Sequence, residues 1–488
     1  EPERRPSTVI LLLLLPLIPT VLSASCNPLL VRCRTSEAID TRILRDTLPA
    51  HLEPPQDDKA RVVMETLLKI DTHYNAKQPE LLRQSNAIDL FRAPNKLYDA
   101  QTEWDDESRL RFIIAVIAEE SFKRLPEGSS RDSRGTLLEK MCPLREDEEC
   151  SATDKFRTYD GVCNNVRHTD WGSAYTRFQR FLPSVYPNTT PGLPTHPQLP
   201  SARRVSTKLF RELPDQEISL TQLVPHLAHF VYADVVRLAK PRISTDGGAR
   251  SLPCCDPNMK HPECTPIDVP ANDTKHAGFV RCMPYARTIS APARACDLSE
   301  RQQANLATSF LDGSIIYGSE PVLARKLRAQ TGGLLMTSYS SSPDYSLPLE
   351  VQCTSGRAGC FLGGSSQVNF LPSISALHTV WLRQHNRIAK ELQVLLTEKY
   401  NINTWQEARR IVGAQLQHVV YNELAPVIIG REKWAEYKLK SETSGYASGY
   451  STSVDPSALN SYAAVAGQFF YTMFSPKLAN EDAQGRPV

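Results

Sequence analysis

Oxygen donors recur at every second position in Thr308-Ser309-Phe310-Leu311-Asp312-Gly313-Ser314. On an extended loop Thr308, the Phe310 carbonyl, Asp312 and Ser314 point one way. Calcium takes about six to eight oxygens at roughly 2.3–2.6 Å in a flexible shell, and such a loop supplies four of them. The same small polar residues also fit the C-terminal end of a plain helix, and spacing alone leaves both open. His226 and His229 sit three apart on a predicted helix and can share a metal, but no third ligand accompanies them. Histidines so spaced are more often surface or satisfied core residues. Cys254, Cys255, Cys264 and Cys282 can form two disulfides in either order. Zinc is the rival ligand, but the adjacent pair Cys254-Cys255 lacks the CxxC geometry that chelates one metal. No P-loop, no GxGxxG after a strand, no HExxH and no GxSxG elbow occurs.

The elements that must position these residues are mostly helical. Apolar periodicity predicts helices over Glu107–Leu125, Leu220–Leu238, Ser299–Asp312, Ser373–Lys399, Trp405–Val427 and Pro456–Phe474. Strand signals are few and no internal repeat is present, so the fold class is mainly α. Residues Ser441–Ser453 have the composition of a flexible linker, and Glu146–Glu149 that of a solvated acidic one. With 41% hydrophobic and 23% charged residues, the 488-residue chain can bury a real core. Its 36 Pro against 22 Gly suggest stiff loops between helices. A net charge of +2 provides no basic footprint, which argues against nucleic acid as a main partner.

The first residues set the expected compartment. Arg4 and Arg5 precede an apolar run from Val9 to Leu22, followed by Ser23-Ala24-Ser25, which is the pattern of a signal peptide over residues 1–24. The run is short of the ~20 residues that span a bilayer, and Pro16 and Pro19 interrupt it. No later stretch is long and apolar enough for a membrane span, so a secreted, extracellular chain is expected. In that compartment the 12 cysteines should mostly pair. Short-range candidates are Cys150 with Cys163 and Cys353 with Cys360. Glycosylation sequons stand at Asn188 and Asn272.

A series of ordered motifs then runs from residue 150 towards the end. It begins with Phe156-Arg157-Thr158-Tyr159-Asp160-Gly161-Val162-Cys163-Asn164-Asn165 and continues with Trp171-Gly172-Ser173-Ala174. The calcium-like loop follows, extended on both sides as Leu306 to Ser314 and Ile316-Tyr317-Gly318-Ser319. Leu377-His378-Thr379, Leu382-Arg383-Gln384-His385-Asn386-Arg387 and Glu407-Ala408-Arg409-Arg410-Ile411-Val412-Gly413-Ala414 complete it. In these motifs the chain resembles the animal haem peroxidase superfamily, the group of myeloperoxidase, thyroid peroxidase and peroxidasin. The resemblance implies a helical domain over residues 150–488 with long disulfide-linked loops. It is preceded by a propeptide-like arm over residues 25–149. It also implies further helices beyond the proximal segment. Since the sequence ends at Val488, soon after Pro476, a domain incomplete at its C terminus is expected.

The resemblance also assigns roles, position by position. Members of the superfamily cleave peroxide at a haem with a distal His, a distal Arg and a proximal His, and an Asp and a Glu ester-link the haem edge. The distal segment matches Leu227 to Asp234, with its final Asp as Asp234. The distal His position is then Ala233, and the ester-forming Asp position is Tyr232. His229, one helical turn from Ala233, is a possible substitute base. After Cys360-Phe361-Leu362, the distal Arg position is Gln367 and the ester-forming Glu position is Phe370. In the proximal segment, Asn460 to Tyr471, the axial His position is Tyr471 and the propionate-binding Arg position is Gln468. All six haem-facing positions are therefore changed. The family's calcium set, by contrast, is intact as Asp234, Thr308, Phe310, Asp312 and Ser314.

These residues imply a secreted pseudoperoxidase with a retained calcium site. It would act by binding or as extracellular structure, with an extracellular protein partner or a second copy of itself. The alternative is a haem peroxidase that uses hydrogen peroxide to oxidise donors, with Tyr471 as an unusual axial ligand. Tyrosinate is a known haem ligand, but its pKa near 10 needs cationic neighbours, and Gln468 removes one. The rings of Tyr232, Phe370, Phe470 and Tyr471 are expected instead to fill the vacated space.

Overall fold

The computed structural model describes residues 57–75, 106–142, 150–184, 200–210, 220–338, 346–350, 360–395 and 404–474, apart from short gaps inside these ranges. The leader, the acidic stretch 146–149, Asn188 and Cys353 lie outside the described residues. Helices dominate, as expected. In chain order they are α1 (Asp58–Asn75), α2 (Asp106–Arg124), α3 (Leu137–Met141), α4 (Ala202–Leu209), α5 (Leu223–Val235) and α6 (Ser314–Tyr317). They continue with α7 (Pro321–Leu327), α8 (Pro372–Leu395), α9 (Thr404–Val419), α10 (Ala425–Ile428), α11 (Arg431–Glu436) and α12 (Asn460–Ala464). Among the described residues the strands form only two-stranded antiparallel pairs. No helix there is long and apolar enough to cross a membrane.

Two apolar clusters organise the molecule. The C-terminal one joins Phe230 and Ala233 of α5 to Ile315, Ile316 and Tyr317 of α6, Trp381 and Leu382 of α8, and Trp405, Ala408 and Val412 of α9. The other joins the arm helices to the rest of the chain. Val63 of α1, Phe112, Ile113 and Ile117 of α2 and Leu138 of α3 pack with Tyr175, Ile289, Leu298 and Leu306.

Several expected elements change form for local reasons. The helix expected over Ser299–Asp312 is absent. Ala304–Asn305 is a strand that pairs with Thr176–Arg177, Asn305 facing Thr176, and the chain then runs as a loop to Gly313. The Asn305 side chain accepts from the backbone N–H groups of Arg237 and Ala307 and donates to the Val235 carbonyl, so it holds loop backbone rather than a helix. The helix expected over Trp405–Val427 passes through a π-turn at Val420–Leu424 into α10. Pro426 has no N–H to continue the α ladder there. The helix expected over Pro456–Phe474 is divided into α12 and a 3-10 segment, Ala466–Met473, by the non-helical Val465. The stretch 448–453 has no regular structure and is largely exposed, in line with its linker composition.

The cysteines pair as Cys142–Cys296, Cys150–Cys163, Cys254–Cys264 and Cys255–Cys282. The Cys150–Cys163 expectation holds, and the cluster resolves into two bridges, which rules out zinc on those sulfurs. Cys360 is also disulfide-bonded. The Cys142–Cys296 bridge, 154 residues apart, had no sequence signal. Asn272 and Thr274 are exposed in a turn whose buried Asp273 accepts from Arg203 at 3.0 Å.

Candidate functional site

Asp234 ends α5, and Thr308 to Ser314 wraps against it. The Asp234 carboxylate accepts from Ile315 N at 2.9 Å, from Gly313 N at 3.3 Å and from Ser314 Oγ at 3.3 Å. Ser314 Oγ also donates to the Asp234 carbonyl at 2.8 Å. Across the loop Asp312 accepts from Thr308 Oγ1 at 2.9 Å and from Ser314 N at 3.0 Å, and Thr308 Oγ1 lies 3.4 Å from the Phe310 carbonyl. All five expected oxygen residues thus meet in one place, and Asp234, Thr308, Asp312 and Ser314 are buried.

Neighbouring motifs hold this loop in shape. Gly172 takes the left-handed region at φ 74°, and a Cβ there would meet Pro456 at 2.9 Å and the Phe310 ring at 3.0 Å. Its carbonyl accepts from Ser309 N at 2.8 Å. From the other side Gln417 of α9 donates to the Leu311 carbonyl at 2.8 Å. Arg409, also on α9, donates to the carbonyls of Arg157 and Thr158 at 2.8 and 2.9 Å.

The electrostatics of the loop favour a cation. Burial and the nearby Asp312 charge push the Asp234 carboxyl up. Burial also pushes Asp312 up, while the Arg409 charge opposes the shift. Two buried carboxylates are costly without a compensating charge. With hydroxyls and a carbonyl beside them they form a hard-oxygen set suited to calcium. Among the described residues no three or more His, Cys, Asp or Glu are grouped to hold a metal. The loop therefore offers two charged and several neutral oxygens, and His226 and His229 gain no third ligand. His226 Nδ1 donates instead to the Gln222 carbonyl, and its ring lies 4.9 Å from that of Phe474.

The haem-facing positions also come together, but directly against one another. The His229 ring stacks on Phe470 at 4.9 Å and 16°, and meets Phe370 edge-on at 4.6 Å and Tyr471 at 5.9 Å. Phe470 lies 4.6 Å from Tyr471 and 5.6 Å from Tyr232. The Tyr232 hydroxyl donates to the Ala463 carbonyl at 2.6 Å. Gln468 Nε2 donates to both, at 3.1 and 2.8 Å. A Cβ on Gly467 would stand 2.8 Å from the rings of Tyr232 and Tyr462, so only glycine lets the two segments approach this closely.

This packing tests whether a haem fits. A flat macrocycle needs carbon contacts of about 3.5–4 Å on each face, hence at least about 7 Å between the groups on either side. His229 and Phe470 are in stacking contact with no such gap. Ala233 lies in the apolar cluster, and Tyr471, where an axial ligand would stand, turns its ring onto its aromatic neighbours. The residues present do not fit the group.

Burial lowers His229 to about 4, and its Nε2 donates to Gln367 Oε1 at 3.3 Å. The position of the expected substitute base and that of the former Arg are therefore bonded to each other. Among the described residues His229 Nδ1 is buried with no hydrogen-bond partner, as is His378 Nε2. His378, lowered to about 3 by burial, packs against Phe230. His378, Phe474 and Arg409 were not assigned roles from sequence, although His378 and Arg409 stand inside quoted motifs.

Comparison with known proteins shows the family. The animal haem peroxidase family profile matches residues 156–487. Peroxidasin homolog of Homo sapiens is 32% identical over 370 residues, covering 68% of this chain and 24% of that protein. Chorion peroxidase of Aedes aegypti is 31% identical over 342 residues, covering 66% and 43%. Myeloperoxidase of Mus musculus is 31% identical over 365 residues, covering 70% and 49%. The chain thus spans between a quarter and a half of the length of these relatives. Among solved structures, peroxidase A from Dictyostelium discoideum superposes with a TM-score of 0.53 at 21% identity, covering 69% of this chain and 63% of that one. An Oryza sativa fatty acid alpha-dioxygenase superposes at 0.51 with 17% identity, covering 79% and 63%. These two likenesses concern the fold alone.

Proposed function

The chain belongs to the animal haem peroxidase family, and we propose that it is a secreted, non-catalytic member of it. It keeps the calcium site and acts by binding or as extracellular structure, with a protein partner or a second copy of itself. Function is set by the site rather than the fold. The observation that carries the proposal is the stacking of His229 on Phe470, with Phe370 and Tyr471 closing the same space. Ala233 and Gln367 bring no base and no charge to replace those of a peroxidase. Disulfides among the described residues support an oxidising compartment. The paired buried carboxylates Asp234 and Asp312 support the calcium assignment.

The test is spectroscopic. The purified chain, incubated with hemin and desalted, is expected to show no Soret band and no guaiacol turnover on adding hydrogen peroxide. A haem-loaded, peroxide-active preparation would sink the proposal in favour of a peroxidase with Tyr471 as axial ligand. Should haem bind without turnover, Ala233→His, Gln367→Arg and Tyr471→His together test whether the lost groups account for the inactivity.

A further inference from the structure

We infer that the N-terminal arm is a permanent, covalently latched part of the folded domain and not a segment that leaves it on maturation. The first observation is apolar. Helix α2 carries the run Phe112-Ile113-Ile114-Ala115-Val116-Ile117-Ala118, and every one of these side chains is buried. A helix that is apolar all round belongs inside a core. Its neighbours there are Val63 and Leu138 from the arm, and Tyr175, Ala239, Ile289, Leu298 and Leu306 from the domain. Without the arm, these domain residues would lose the apolar cover that α1, α2 and α3 give this cluster.

The second observation is ionic. Glu119 of α2 is buried, accepts from the Ser290 hydroxyl and lies 3.6 Å from Arg301. Arg301 bonds Glu263 at 2.9 Å and the Thr288 carbonyl at 2.7 Å, and Glu263 lies 3.1 Å from Arg287. The arm therefore supplies one carboxylate of a buried charge cluster whose other members belong to the domain. Breaking such a cluster from one side leaves its remaining charges buried and poorly matched.

The third observation is a latch. Cys142, just after α3, is bonded to Cys296 with a Cα–Cα distance of 5.6 Å. Ala295 and Cys296 both adopt left-handed backbone, at φ 53° and 56°, which is costly for residues with a Cβ. The arm holds this turn from outside. Ser133 Oγ donates to the Ala295 carbonyl at 2.6 Å, Ser133 N to Asp297 Oδ1 at 2.9 Å, and Leu298 N to the Arg131 carbonyl at 2.7 Å. Burial, charge and a covalent bond converge on the same contact, so cleavage of the chain after Cys142 yields a two-chain molecule rather than a shortened one.

The experiment inserts a recognition site for a specific protease between Cys142 and Cys150 of the full chain. After cleavage, the protein is expected to run as one species on a non-reducing gel and as two after reduction. Two species without reductant would overturn the latch. The same insertion with Cys142→Ser and Cys296→Ser separates the bond from the packing. Its cleaved halves are expected to co-elute in native size exclusion, and separate elution overturns the inference. Hydrogen exchange on the cleaved, disulfide-intact protein tests the same packing should the double variant not fold. Amides of Asp106–Arg124 are expected to stay protected, and their rapid exchange would show that the arm has come away.

Discussion

Ala233 and Asp234 are neighbours on one helix, yet they face regions built on opposite principles. Asp234 turns into a loop in which hydroxyls, carbonyls and a second carboxylate are gathered. Ala233 turns into an apolar cluster, and the adjoining space is filled by the buried His229 and Phe470, with the half-buried Phe370 and the exposed Tyr471 packed against them. In the first region the five oxygen residues expected of the family's calcium site lie together. In the second, the six positions expected to face a haem carry three aromatic rings, one alanine and two uncharged amides. On the proposed reading, a site that binds an ion for stability keeps its donors, whereas a site that served only chemistry can be filled. Filling also contributes stability, since buried aromatic rings are the largest apolar payload a core accepts.

The comparison breaks most directly at Phe470, which is fully buried between the two segments. Phe470→Ala is expected to cost about 3–5 kcal/mol in urea unfolding, as for other large-to-small core changes. A cost near zero would mean that the rings do not form a core at all. The calcium side is expected to respond next most strongly. With calcium at about a hundred times its Kd, binding contributes about 2.7 kcal/mol. Asp234→Asn should abolish the calcium-dependent rise in Tm. In chelator the same change should not destabilise, because it relieves one of two like charges buried together. Equal loss in calcium and in chelator would remove the ion from the account.

How much of this contrast the sequence discloses depends on the kind of residue. The oxygen alternation from Thr308 to Ser314 is visible in the sequence, but its spacing fits a helix end as well as a calcium loop, and only the family's pattern chooses between them. The residue types at Ala233, Gln367 and Tyr471 stand out only against the family's pattern, and the closing of the space beside them does not, since the stacking of His229 on Phe470 joins residues far apart in the chain. The extended course of Ser299–Asp312 was hidden by apolar residues at helical spacing. What decides it is the Asn305 side chain, whose three backbone partners come from two different stretches. The π-turn before Pro426 was readable in principle, because a proline inside an apolar helical pattern always removes a ladder bond.

The two regions also answer pH with opposite signs. Burial lowers His229 to about 4 from 6.5, so between those values the unfolded chain binds more protons than the folded one. Stability from this group is present near neutrality and is lost as pH falls from about 6.5 to about 4, by about 3 kcal/mol. The buried carboxylates are raised instead, so in chelator the folded state binds more protons and gains stability as pH falls below neutrality. Urea midpoints across this range, compared with those of His229→Gln and Asp234→Asn, separate the two slopes. A His229→Gln profile parallel to that of the natural protein would remove the histidine from the account.

The smallest expected effect tests how firmly the filled region is tied rather than whether it is filled. Tyr232 stands where the family has an ester-forming carboxylate, and its hydroxyl donates to the Ala463 carbonyl and accepts from Gln468. Tyr232→Phe keeps the ring and removes only the hydroxyl. Gln468 retains its bond to the same carbonyl, so neither partner is left bare. The loss should therefore be about 1 kcal/mol, the net worth of an ordinary hydrogen bond. Tyr232→Ala also removes the ring beside Phe470 and Tyr462 and is expected to cost several times more. Equal losses for the two variants would place the hold between the segments in the hydroxyl, and the closure would then be a polar clasp rather than an aromatic core.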